Sequence, residues 1–317
     1  MKKVTLFPLI LSALVLASCG GGNNPDSSKA TGLTTPDKSS DTSHATGLTT
    51  PNTQATEGAY KVTFDYNYEG GPASEVVKVN AFDAVKKPAD PTRTGYSFVG
   101  WMKEADDHIF DFENMPFLED SDVTLKAFWI PDSLKETVFE AEYCACITDG
   151  LGMQGSTYSG GTQGKALIGE DVYGDYHASN DFFVHFLYMK GNTLTFDLVA
   201  DKAEQNVVFA IRLSAEYRET IEITNEKWKV KINDEALAYK PFTFRHVPPQ
   251  GGTRYPFTDY VLGNINLKEG ENKIELITDN DELLYGTAAS TAPMIDCLKM
   301  YSGNTITWPT AKESNID

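Results

Sequence analysis

Histidine and cysteine are scarce in this sequence, five and four residues among 317. His44, His108, His177, His185 and His246 are scattered, Cys144 and Cys146 make C-x-C rather than C-x-x-C, and no H-E-x-x-H occurs. These absences remove the usual zinc and dithiol signatures. G-x-S-x-G is missing too, and GGTQGKA at 160–166 is too short for a phosphate loop and has Ala166 where Ser or Thr belongs. Basic residues are few: 27 Lys and Arg stand against 45 Asp and Glu, a net charge of -18. Such a surface repels phosphate backbones, which excludes nucleic acid as a partner.

Long apolar runs are confined to the first residues. MKKVTLFPLILSALVLASC has two lysines, an apolar stretch interrupted by Pro8, and small residues before Cys19. This is the pattern of a secretory leader over 1–18, too short for a comfortable membrane span. Leu16, Ala17, Ser18 and Cys19 resemble the lipobox of bacterial lipoproteins. The resemblance implies lipidation of Cys19 and an extracytoplasmic chain anchored to the cell membrane or envelope, with two or three acyl chains for stable attachment.

Residues 19–59 have almost no bulky apolar side chains and contain ATGLTTP twice, so they cannot form a core and read as a disordered tether. A flexible coil of about 40 residues reaches roughly 35 Å. Aromatic residues, 11% of the chain, are concentrated beyond it and imply ordered domains. Over 60–130, YKVTFDYNY and DVTLKAFW alternate in the two-residue period of strands, and DPTRTGYSFVGW turns around a short apolar strand. VTFDYNYEGG, TRTGYSFVGW, FDF and VTLKAFW together resemble the Listeria-Bacteroides repeat, also called the internalin B-repeat. That family implies a small β-grasp fold used as a surface spacer or adhesion module, with a protein partner reached through the repeat. Trp101 and Trp129 lie within apolar strands and are expected in its core.

From 136 to 302 the pattern is again all-β, with LTFDL, VVFAIRL, WKVKIND and NKIELIT separated by turns. Many short strands of this kind suggest a sandwich or jelly roll. The tail, 303–317, is either a last strand or loose. FEAEY, YSGGTQGKAL, GNTLTFDL, WKVKIND, LKEGENKIEL and APMIDCLKM, in that order, resemble the carbohydrate-binding modules of families six and thirty-five. The resemblance implies a β-sandwich that binds a glycan or polysaccharide without catalysis; a protein-binding adhesin or spacer is the alternative.

Within VFEAEY, Glu140 and Glu142 stand two apart on a predicted strand, hence on one face about 7 Å apart. Glycoside hydrolysis needs carboxyl groups flanking the scissile bond, which neighbours on one face cannot supply. Two close carboxylates suit a shared calcium ion, or simply hydrogen bonds to loop backbone. The resemblance implies a structural Ca2+ held by Glu140, Glu142 and Asp296, completed by carbonyls of 160–165. Strict alternation would then turn Cys297 away from Asp296, so no disulfide is expected there. Sugar binding calls for aromatic platforms with fixed polar groups. The loop candidates are Tyr173, Tyr176, Phe182, Tyr255, Asp279, Asn280 and Tyr285. Met294 stands where many relatives carry a ligand-bonding Asn, and a thioether cannot replace it.

Overall fold

The computed structural model describes residues 58–146, 152–153, 166–172, 174–187, 190–215, 220–245, 255–279 and 292–309. Cys19, Tyr173, Asn280, Tyr285 and the 160–165 loop lie outside them. Among the described residues the chain is mainly β, and no helix is long and apolar enough to cross a membrane.

The first sheet comprises β1 (Tyr60–Asp65), β2 (Glu75–Val79), β3 (Tyr96–Lys103) and β4 (Val123–Pro131), in the order β2-β1-β4-β3 with β1 and β4 parallel. That central parallel pair is the sheet order of a β-grasp, although 80–95 cross without a helix. Alternation dictates the buried face: Val62 and Phe64 from β1 meet Leu125, Ala127 and Trp129 from β4. Trp101 is wholly buried, with Phe64 and Phe98 edge-on at 5.0 and 5.5 Å. The Trp129 indole N–H donates to the Tyr66 carbonyl at 2.9 Å. Both tryptophans are core, as their position in the strands predicts.

Two further sheets face each other across one large core. One runs β14 (Glu235–Leu237), β13 (Trp228–Ile232), β17 (Gly270–Thr278), β10 (Thr193–Ala200) and β19 (Ile306–Thr307), with β6 (Ala145–Cys146) also on β10. The other runs β16 (Thr258–Leu267), β11 (Glu204–Ser214), β18 (Met294–Ser302), β9 (Phe182–His185), β8 (Leu167–Glu170) and β7 (Gly152–Met153), with β5 (Lys135–Glu140) also on β18. A small pair, β12 (Ile221–Ile223) and β15 (Phe242–Phe244), closes one side. Asn233 and Asp234, both at positive φ, make the two-residue turn joining β13 to β14. The start of the tail is ordered: β19 pairs with β10, and Trp308 packs on Phe139 and Phe196.

The repeat and the sandwich belong to one compact unit, 54–317. Residues 107–109 lie strand-fashion along β16. The Ile109 N–H donates to the Asp259 carbonyl at 2.7 Å, and the Val261 N–H to the Asp107 carbonyl at 2.9 Å. Lys240 pairs with Asp107 and Arg245 with Glu119 across the junction. Beneath them Lys103 is buried between Asp106 at 2.9 Å and Glu119 at 2.6 Å.

Candidate functional site

Glu140 and Asp296 do converge, with Glu142 beside Glu140 and held by the same loop, by a different geometry from the one predicted. The strand carrying VFEAEY stops at Glu140, and Ala141–Tyr143 form a 3₁₀ turn, so Glu142 is not two strand positions along the same face. The partner strand breaks register as well: Arg212 faces Cys297 and Leu213 faces Ile295, leaving Asp296 as an extra residue. Such a bulge suspends the two-sided alternation. This corrects the expectation that Cys297 turns away, because ligand atoms of Glu140, Asp296 and Cys297 all lie within 4.8 Å of one another. Cys297 is a free cysteine, and burial keeps its thiol well above the usual range and therefore neutral.

The 177–181 loop closes over the carboxylates. Ser179 donates its backbone N–H to both Asp296 oxygens at 3.0 and 3.1 Å, and Asn180 Nδ2 donates to Glu142 Oε1 at 2.8 Å. Ser179 Oγ lies 2.8 Å from Glu140 Oε2 and 2.9 Å from Asp296 Oδ1. A hydroxyl has one proton to give. Both contacts are hydrogen bonds only if one carboxyl is itself protonated. Arg212 supplies the nearest fixed cation, with Nε 2.8 Å from Asp296 Oδ2, and it also reaches Asp259 and the His177 carbonyl.

These partners do not offset the loss of water. Burial pushes Asp296 up to about 7 against the pull of Arg212 and Ser179, and Glu142 up to about 6 against Asn180. Glu140 is raised by burial as well. Asp296 and Glu142 are 0% exposed. The cluster can therefore hold a proton or a small cation, and it offers no face to a large substrate.

The aromatic platforms fare differently. Tyr176 is 7% exposed and packs with Phe183, Phe257 and Met294. Tyr255 is 3% exposed, edge-on to Phe244 at 5.1 Å, with its hydroxyl 3.2 Å from that of Tyr260. Both are core residues, correcting the expectation of sugar platforms: their loops fold inward because the ends of the two sheets leave apolar space to fill. Phe182 is half-buried at the start of β9. Asp279 is tied to Lys229 and Lys190. Ser179, Asn180 and Arg212 were not foreseen. The only sequence signal for the first two was a polar HASND run just before a strand.

Residues 60–127 match the sequence model of the Listeria-Bacteroides repeat domain. No curated protein matches the chain in sequence. Among solved structures, a family 35 carbohydrate binding module from Clostridium thermocellum is similar at 12% identity and a TM-score of 0.35, over 52% of this chain and 97% of that one. A CBM35 from Cellvibrio japonicus is similar at 14% identity and a TM-score of 0.32, over 56% of this chain and 99% of that one. The GH26-CBM35 β-(1,4)-mannanase of Podospora anserina is similar at 15% identity and a TM-score of 0.33, over 55% of this chain. This chain covers 28% of the mannanase's length.

Proposed function

We propose that the chain is a lipid-anchored, extracytoplasmic glycan-binding protein without catalysis of its own. Its lipid would sit on Cys19, its tether would span 19–59, and its sandwich would carry a structural calcium. The observation that carries the reading is the convergence of Glu140 and Asp296 on Ser179, with Glu142 held by the next residue, Asn180. All three are positions at which the sequence resemblance implies a calcium-stabilised carbohydrate-binding module, and Glu140 and Asp296 meet despite the bulge, with Glu142 on the adjoining turn. The oxygen donors fit the ion, the Glu140 and Asp296 carboxylates and the Ser179 hydroxyl, with more negative charge than Arg212 offsets, while the neutral Cys297 thiol beside them would stay outside the shell. Calcium would supply that missing positive charge and fasten the 177–181 loop to the first and last strands of the sandwich. Full burial of Glu142 and Asp296 supports an architectural role over acid-base catalysis, because neither carboxylate reaches a substrate.

Glycan-array binding by the intact mature protein, with calcium and with chelator, tests this. Binding that weakens on chelation is expected. Silence across plant, host and peptidoglycan glycans overturns it in favour of a protein-binding adhesin. That alternative has one observation of its own: on the repeat, Phe82 sits at a φ of 67° and is 56% exposed, a conformation costly for a bulky residue and open to a partner.

A further inference from the structure

We infer that the open side of the sandwich, between edge strands β14 and β16, is the groove that takes a neutral, hydroxyl-rich glycan segment. The inference rests on the glycan-binding reading and gives it a location. A cleft of about 600 Å³ lies there, within the range of small-ligand sites. Gln205, Glu235, Asn264, Asn266 and Lys268 ring it above Ala236 and Leu237. The side chains of Gln205, Glu235 and Asn264 enter no hydrogen bond or ion pair among the described residues. Asn266 accepts one bond, from the Asn206 N–H at 3.1 Å, which leaves its amide donors unspent. Neighbouring polar groups are committed elsewhere. The Glu204 carboxylate accepts from Ser302, Gly303 and Asn304, and Asn233 is bonded to Asn272 and Lys273.

The groove is produced by irregular backbone. Between Glu204 and Val207, two residues of β11 oppose Asn266 alone, and Asn206 takes a φ of 61°. A second break falls at Gly263, whose φ of 130° suits glycine alone. Bulged edges under polar side chains are poor templates for an added peptide strand. Side-chain amides both donate and accept, as sugar hydroxyls do. Glu204 and Glu235 outweigh Lys268, so the cleft has no surplus cation for a uronate or phosphate. At the opposite end of β11, by contrast, Tyr176, Phe183, Phe257 and Met294 fill the space where loop aromatics would have stacked on sugar.

The test is calorimetric titration of the intact mature protein with cello-, manno- and xylo-oligosaccharides, alongside acidic uronate oligomers. The Gln205→Ala/Asn264→Ala double variant should lose at least tenfold in affinity with an unchanged melting temperature, while Glu113→Gln, on the exposed face of the repeat, binds like the parent. Parental affinity in the double variant overturns the groove and leaves glycan binding standing at another site. Binding of uronate oligomers alone also overturns it. No binding of any glycan overturns both the groove and the function proposed above. Loss in the double variant of binding to a peptide, with no glycan bound, assigns the groove to peptide and overturns the proposal.

Discussion

Acidifying the calcium-free protein should stabilise it, the reverse of ordinary acid denaturation. Asp296 and Glu142 have folded pKa values of about 7 and about 6, above their unfolded values near 3.8 and 4.5. The native state therefore binds protons more tightly than the unfolded chain, and stability falls as pH rises from about 4 to about 7. At about 1.4 kcal/mol per unit, Asp296 alone disfavours the native state above pH 7 by on the order of 4 kcal/mol, and Glu142 adds roughly 2. Because both are coupled to Glu140, a few kcal/mol in total is the appropriate expectation. The buried Asp106, depressed to about 2, acts with the opposite sign: its contribution is lost only between about pH 4 and 2. Calorimetric melting of the intact mature protein in chelator should give a midpoint about 5 to 15 °C higher at pH 5 than at pH 8. Millimolar calcium should raise the pH 8 midpoint and flatten the dependence, since an ion bound only by the folded state stabilises it by mass action. A chelated midpoint that is flat or falls from pH 8 to 5 would refute the electrostatic account. An identical profile with and without calcium would refute the ion.

Glu140→Gln should abolish the calcium-dependent rise in midpoint before it alters glycan affinity, as melting and titration on the same sample can show. Cys297 should resist alkylation in the native protein and react after denaturation, measured by mass spectrometry of tryptic peptides. Lys103→Ala leaves Asp106 and Glu119 buried beside each other without their shared cation, and should cost about 3 to 5 kcal/mol by denaturant titration. Tyr176→Ala should likewise be felt in stability, by about 3 kcal/mol or more, because the ring is packed and not a surface platform.

The repeat was legible because its strands alternate, and Leu125, Ala127 and Trp129 on the inner face of β4 are buried as the pattern requires, with Val123 half-buried at its start. The carboxylate trio was legible as a constellation of types. Its geometry was not, because a single extra residue at Asp296 and a three-residue turn at 141–143 leave no mark on a hydrophobic pattern while reversing which side chains meet. The aromatic loop residues were misread for a related reason. Composition says that Tyr176 and Tyr255 suit a sugar, but whether a loop tyrosine faces out or in depends on how much apolar volume the sheet ends leave, and that is a property of the assembled core. The bulge opposite Asn266 was invisible for the same reason as the one at Asp296.

The strand-like seating of 107–109 along β16 makes the repeat a guard as well as a neighbour. Isolated from it, the sandwich would present a bare edge with free N–H and C=O groups at 259–261, the kind of edge on which chains add to one another. Separately expressed sandwich domains should then associate with rising concentration while the joined protein stays monodisperse. Dividing this protein at 131 would cut through a shared sheet boundary, where its composition suggests only a change of module.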